Sequence, residues 1–228
     1  MTPGRLIDAI PVNDDWWLIR LEWQDGCPAP GQWLWLDVNG QRVCLPVRDA
    51  DAGEGWVAGV LPSAGLPDGL RPGLTVSVSS LQGAAIAPDP GDTLLILGEN
   101  LGVGPAIALC ERHADQTHLA LVGGQHGIPG RLVPSRLFVP ALSDIAIAGL
   151  NALEQAGVPS RIALNADRPG VHEGSIIELA GRYLSDTPAD QRDALRLIAF
   201  GPWQHLHPFR QGVAASVGRV DWVELPSR

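Results

Sequence analysis

Residues 93–105 read Thr93-Leu-Leu-Ile-Leu-Gly-Glu-Asn-Leu-Gly-Val-Gly-Pro105, and the fold turns on them. Thr93–Leu97 is an apolar run of strand length. A glycine-rich turn, Gly98 to Pro105, leads into helical spacing from Val103 to His113. Pro105 falls in the first helical turn, where its missing N–H costs nothing. A buried strand passing through glycines into a helix has two readings. The glycines admit a ligand close to the backbone, with the free N–H groups of the helix turned to a pyrophosphate. Alternatively, they serve only the tight strand-to-helix geometry.

Downstream, strands and helices alternate. Thr117–Val122 reads as a strand ending in Gly123-Gly124, Ser143–Ala156 as a helix capped by Ser143 and stopped by Gly157, and Arg161–Leu164 as a strand. Ser175–Leu184 reads as a helix, Leu195–Phe200 as a strand before Gly201-Pro202, and Gly218–Leu225 as the last strand. That alternation predicts a doubly wound parallel sheet.

Upstream of Pro88-Asp-Pro-Gly-Asp92, which reads as a linker, the grammar is different. Short strands at Arg5–Val12, Trp16–Gln24, Trp33–Val38, Gln41–Val47, Gly55–Leu61 and Leu74–Ser80 are separated by turns. Trp33, Trp35 and Asp37 alternate with Leu34, Leu36 and Val38, and Asn39-Gly40 is a hairpin signal. Many short strands with Gly/Pro turns predict a small closed barrel. The expected architecture is two domains: a β-barrel at 1–88 and an α/β domain at 89–228.

Composition narrows the function. A net charge of −9 argues against nucleic acid, whose phosphates need a basic face. No apolar run approaches a membrane span and Met1-Thr-Pro-Gly-Arg5 has no leader character, so a cytoplasmic protein is expected. All sixteen basic residues are arginine, which excludes a Schiff-base lysine and a lysine-bearing phosphate loop. Cys27, Cys44 and Cys110 are too few and too dispersed for a local metal or iron–sulfur site. His205-Leu-His207 is weighed as a metal pair and read as solvated loop histidines, since no further ligand lies nearby. Six of the eight tryptophans precede residue 57, and their simplest role is barrel packing.

The barrel followed by a G-x-x-x-G-V-x-P turn resembles the ferredoxin–NADP reductase superfamily, and within it the electron-transfer subunits of dihydroorotate dehydrogenase. Gly98, Gly102, Val103 and Pro105 match the family's turn; Glu99 and Asn100 depart from it. The resemblance implies FAD on the barrel, NAD(P)H on the α/β half, and electrons passed to a protein partner; a homodimer is compatible with it. It places the nucleotide against Gly98, Asn100, Gly102, Val103, Gly104 and Pro105, against Gly123, and near the Asp167 loop. Trp203 is expected beside the nucleotide.

For the flavin, the family's R-x-[YF]-[ST] strand corresponds to Gln41–Arg48. In one register Arg42 takes the place of the phosphate-holding arginine and Leu45 that of the hydroxyl lying against the ring. In another, Cys44 replaces the arginine. The family's G-P-L-G turn appears as Ser79–Gly83, with Leu81 and Gly83 retained. The C-G-P whose cysteine sits near both rings becomes Phe200-Gly201-Pro202. No cysteine follows Cys110, so no iron–sulfur cluster is expected in this chain. These departures imply weak flavin binding, and they open the alternative of a non-catalytic reductase-fold subunit acting as a partner or assembly protein.

Overall fold

The computed structural model describes residues 1–203 and 207–226. Eight strands precede residue 84: β1 (Thr2–Asn13), β2 (Trp16–Glu22), β3 (Gln32–Val38), β4 (Gln41–Pro46), β5 (Asp49–Asp51), β6 (Trp56–Pro62), β7 (Thr75–Val78) and β8 (Gln82–Gly83). They pair antiparallel in the order β4-β3-β7-β1-β2-β6-β5, with β8 beside β3. The two ends of that path are joined by two residues. Val47 N–H donates to Gln32 on β3, and Arg48 N–H donates to Ala58 on β6, both at 2.9 Å. One bent stretch, 41–51, thereby closes the barrel and leaves it no free edge there. Along β3, Leu34, Leu36 and Val38 are buried while Trp33, Trp35 and Asp37 are half-buried, as alternation requires. Asn39 and Gly40 take φ of 54° and 82°, the left-handed pair of a two-residue hairpin.

The second half holds β9 (Thr93–Glu99), α1 (Val103–Arg112), β10 (Thr117–Gly124), β11 (Leu132–Pro134), β12 (Ala148–Leu150), α2 (Asn151–Gln155), β13 (Ser160–Leu164) and β14 (His172–Glu173). It continues with α3 (Ile176–Asp186), α4 (Ala189–Asp193), β15 (Leu195–Gly201), α5 (His207–Ala214) and β16 (Arg219–Glu224). A six-stranded parallel sheet runs β14-β13-β10-β9-β15-β16. The architecture is a β-barrel followed by a doubly wound α/β half. Among the described residues no helix is long and apolar enough to cross a membrane.

One element departs from the sequence reading. The helix expected over Ser143–Ala156 forms only from Asn151. Ser143 caps no helix there: its hydroxyl donates to the Pro140 carbonyl at 3.0 Å, closing a single 3₁₀ turn. Residues 148–150 are extended because they pair with β11 and because Ala148 N–H donates to Gly170 at 2.7 Å. Buried charges hold this excursion in place. The Glu154 carboxylate accepts from the Ser135 hydroxyl and the Arg136 N–H, and Arg161 donates to the Leu137 carbonyl. By contrast α3 starts where expected, at Ser175, which forms a reciprocal capping box with Glu178. Ser175→Ala is expected to lower unfolding free energy by about 1 kcal/mol in urea denaturation, since the Glu178 N–H loses its acceptor.

The two halves share one apolar core. Leu34, Leu45 and Leu61 of the barrel belong to the same buried cluster as Leu101, Val103 and Phe200. A second cluster, on the far face of the parallel sheet, gathers Leu121, Leu179, Tyr183 and Trp203.

Candidate functional site

From β9 the chain winds to one side through β10, β13 and β14; β15 and β16 lie on the other side. The switch point is the carboxyl end of β9 beside that of β15, where open α/β sheets bind ligands. Asn100 stands there with φ of 50°, and its Oδ1 accepts from the Gln125 N–H at 2.9 Å, tying the ends of β9 and β10 together. Beside it lies a cavity of about 290 Å³ lined by Pro62, Asn100, Leu101, Gln125, His126 and Pro202. A second cavity of about 210 Å³ is lined by Asp15, Ser63, Gly124, Asn165 and Arg168, and again by Gln125 and His126. Together they form a groove with an apolar end and a polar end. Larger depressions lie at the amino ends of the strands, around His118, Phe138 and Pro159; the switch-point rule favours the groove.

The barrel roofs this groove through its β1–β2 turn. The Trp16 indole donates to the His126 carbonyl at 2.7 Å, Asn13 Nδ2 donates to the Ile128 carbonyl at 2.8 Å, and the Arg168 guanidinium lies 3.7 Å from Asp15. Glu99, at the end of β9, is half-buried, and burial pushes its carboxyl above the usual carboxylate range.

The glycine turn itself is not where the groove opens. A Cβ on Gly98 would stand 2.6 Å from Ala106 Cβ, and one on Gly102 would overlap the Phe200 carbonyl. One on Gly104 would stand 2.6 Å from Val60 Cγ2 on β6. Val103 and Pro105 are buried too, so the first turn of α1 faces protein. Of the turn expected to receive the nucleotide, Gly98–Pro105, Asn100 and Leu101 line the groove. Gly123 serves packing as well, since a Cβ there would overlap the Ala163 carbonyl and Ile176.

Phe200 and Trp203 are both at 0% exposure. The Trp203 indole donates to the Ala199 carbonyl at 2.9 Å and lies edge-on to Trp222, so it belongs to the core and not beside a ligand. Gly201 packs between Trp203 and Glu99, while Pro202 lines the groove. Asp167 is exposed, outside the lining of the two cavities. His205 lies outside the described residues, and among those described no group of three or more His, Cys, Asp or Glu side chains is placed to hold a metal.

Residues 125, 126, 165 and 168 line the groove, together with Pro62, Ser63 and Asp15 from the barrel. The Gly123-Gly124 strand end and the Asp167 loop, which carries Asn165 and Arg168, were the local signals for them in the sequence. The barrel contribution had no local signal, because it depends on how the halves dock.

No family profile matches the sequence, and no curated protein matches it. Solved structures match in fold. A cytochrome P450 reductase from Amycolatopsis, GcoB, has a TM-score of 0.69 at 15% identity, over 98% of this chain and 69% of that one. A ferredoxin NADP+ reductase from Neisseria gonorrhoeae with bound FAD and NADP has a TM-score of 0.63 at 12% identity, over 97% of each chain. Phthalate dioxygenase reductase has a TM-score of 0.58 at 14% identity, over 97% and 67%.

This chain has the ferredoxin reductase fold.

The Neisseria reductase of this fold holds FAD, and the packing here tests whether this chain's residues fit that group. Leu45, in the register that puts Arg42 on the phosphate, pairs with Leu34 across the β3–β4 ladder and points into the barrel at 0% exposure. Phe200, the other residue expected near the ring, is equally buried in the same core. Arg42 is exposed, with its guanidinium 4.4 Å from the Trp35 ring. Cys44, on the outer face, is buried, and burial pushes its thiol up to about 12; a neutral thiol supplies no positive charge for a phosphate. Leu81 packs against the core, and a Cβ on Gly83 would stand 2.5 Å from the Gly31 carbonyl, so this glycine lets β8 lie beside β3. The residues present do not fit a flavin between barrel and sheet.

Proposed function

We propose that this chain binds a nicotinamide nucleotide in the switch-point groove and acts through that binding on a protein partner. The observation that carries the reading is the pair of cavities sharing Gln125 and His126 across the carboxyl ends of β9, β10 and β13. The apolar end, at Pro62, Leu101 and Pro202, suits a planar ring. The polar end supplies the Asn165 amide and the Arg168 guanidinium, donors for phosphate oxygens. Arg168 is held by Asp15, whose charge offsets part of its attraction for an anion, and moderate affinity follows. Neighbours of the same fold are named for a cytochrome P450, a dioxygenase and ferredoxin, which supports a protein partner for the reading.

Calorimetric titration of NADH, NADPH and ADP-ribose into the chain tests this. Dissociation constants between about 10 μM and 1 mM are expected for at least one of them. Arg168→Gln is expected to weaken that binding about tenfold, or about 1.4 kcal/mol, with unchanged melting temperature because the ion pair to Asp15 is exposed. A folded protein that takes up none of the three at millimolar concentration would remove the groove as a nucleotide site.

A further inference from the structure

We infer that the flavin position of the fold is filled by this chain's own side chains, so that it binds nucleotide without oxidising it. The filled flavin position rests on the seam and not on the groove; the consequence for a bound nucleotide rests on the nucleotide reading above. At the seam the first turn of α1 sits directly on β6: the Gly104 backbone is so close to Val60 that no side chain fits between them. Behind Val60, β6 lies on β4 with the same intimacy, a Cβ on Gly59 overlapping the Pro46 carbonyl and lying 2.7 Å from Leu45 Cδ1. A planar ring slid between two surfaces adds about 3.5 Å to their separation. Here that separation would split one core whose members on the two sides include Leu45, Leu61, Leu101, Val103 and Phe200.

At the phosphate end Arg42 is exposed and already engaged by an aromatic ring. The Arg42 guanidinium lies over Trp35, which meets Trp33 edge-to-face at 5.5 Å. The loop from Ser63 to Leu74 is built of turns, and among the described residues no helix lies between 1 and 88 to turn its N-terminus to a pyrophosphate. Hydride transfer from a reduced nicotinamide needs a two-electron acceptor beside it, and the seam gives that acceptor no room. A bound NADH therefore keeps its hydride, and its effect is confined to binding.

Parallel titrations of the purified chain with FAD and with NADH test this, read by calorimetry and by tryptophan fluorescence, together with absorbance at 340 nm in the presence of both and of ferricyanide. The expected result is a colourless protein, no FAD uptake up to about 1 mM, and NADH consumed no faster than by free FAD. NADH binding alongside that result supports both readings; its absence sinks the nucleotide reading and leaves the filled seam standing. Stoichiometric uptake of FAD with a dissociation constant below about 10 μM, or NADH oxidation that scales with protein, overturns the inference. Leu45→Ser restores a hydroxyl without opening the seam, so it is expected to leave FAD unbound; FAD binding gained by that variant also overturns it.

Discussion

Gly102→Ala is expected to destabilise the protein by about 3 kcal/mol or more, because the new methyl group collides with main chain that cannot step aside. Gly102 has φ of −76° and ψ of −11°, so alanine suits the backbone perfectly well. The obstacle is the Phe200 carbonyl, with Phe200 Cβ at 2.9 Å, and both belong to β15, an interior strand of the parallel sheet between β9 and β16. Moving them means shifting a strand hydrogen-bonded on both sides. Gly181→Ala provides the opposite sign. Gly181 lies inside α3 with nothing within 4 Å of its Cβ position, and alanine there is expected to stabilise by up to about 1 kcal/mol. Urea denaturation of both variants checks the pair. If Gly102→Ala unfolds like the wild type and loses only nucleotide binding, the glycine turn is a ligand seat after all.

The second large effect is at Arg196. This side chain is 5% exposed and clasps three elements: Nε donates to Asp221 at 2.7 Å, and Nη1 donates to Asp92 at 2.6 Å and to the Ala87 carbonyl at 3.3 Å. It fastens the 87–92 connection to β15 and β16. Removing one partner of a buried pair costs about 3–5 kcal/mol. Asp92 and Asp221 are 19% and 24% exposed and keep some water, which places Arg196→Met near the lower end, about 3 kcal/mol. For a chain of this size that lowers the melting temperature by about 6–12 °C. The clasp also has a pH signature. Partial burial pushes the Asp92 carboxyl up, but the Arg196 hydrogen bond and charge outweigh this and hold it below its ordinary range. A carboxylate depressed in the folded state stabilises above its unfolded pKa, about 3.9, and that stability drains away as pH falls through the folded value. Wild-type stability is expected to drop below about pH 4, and less steeply in Arg196→Met.

Most of the architecture was legible in local patterns. Strict alternation marked β3, Asn39-Gly40 fixed the hairpin after it, and the helical stretch Ser175–Leu184 announced α3. The helix expected from Ser143 failed for a reason no local pattern carries. Residues 148–150 answer to Gly170 and to β11, and the charges that hold them, Glu154 and Arg161, look in sequence like ordinary surface residues. The site shows the same division. The glycines of the Gly98–Pro105 turn were visible, but whether a glycine clears space for a ligand or for a neighbouring strand depends on what docks there. Phe200 and Val60 decide it, about 100 and 40 residues away along the chain. The groove-lining residues that sequence reasoning passed over share that character: Asp15, Pro62 and Ser63 become part of it only when the barrel meets the sheet.

The bonds that roof the groove also set a timetable. Trp16 and Asn13 are made early, whereas their acceptors at His126 and Ile128 lie 110 and 115 residues further along. At translation rates of about 5–20 residues per second, the indole waits about 5–20 s for its partner to be synthesised, and longer for that partner to clear the ribosome. By the end of that interval a barrel whose strands end at residue 83 has every strand it needs, while the parallel sheet still lacks β13 to β16. A nascent chain stalled before residue 195 would hold every residue of the groove's polar end but would lack Pro202, Leu225 and Pro226 at its apolar end, and Phe200 in the core the two halves share.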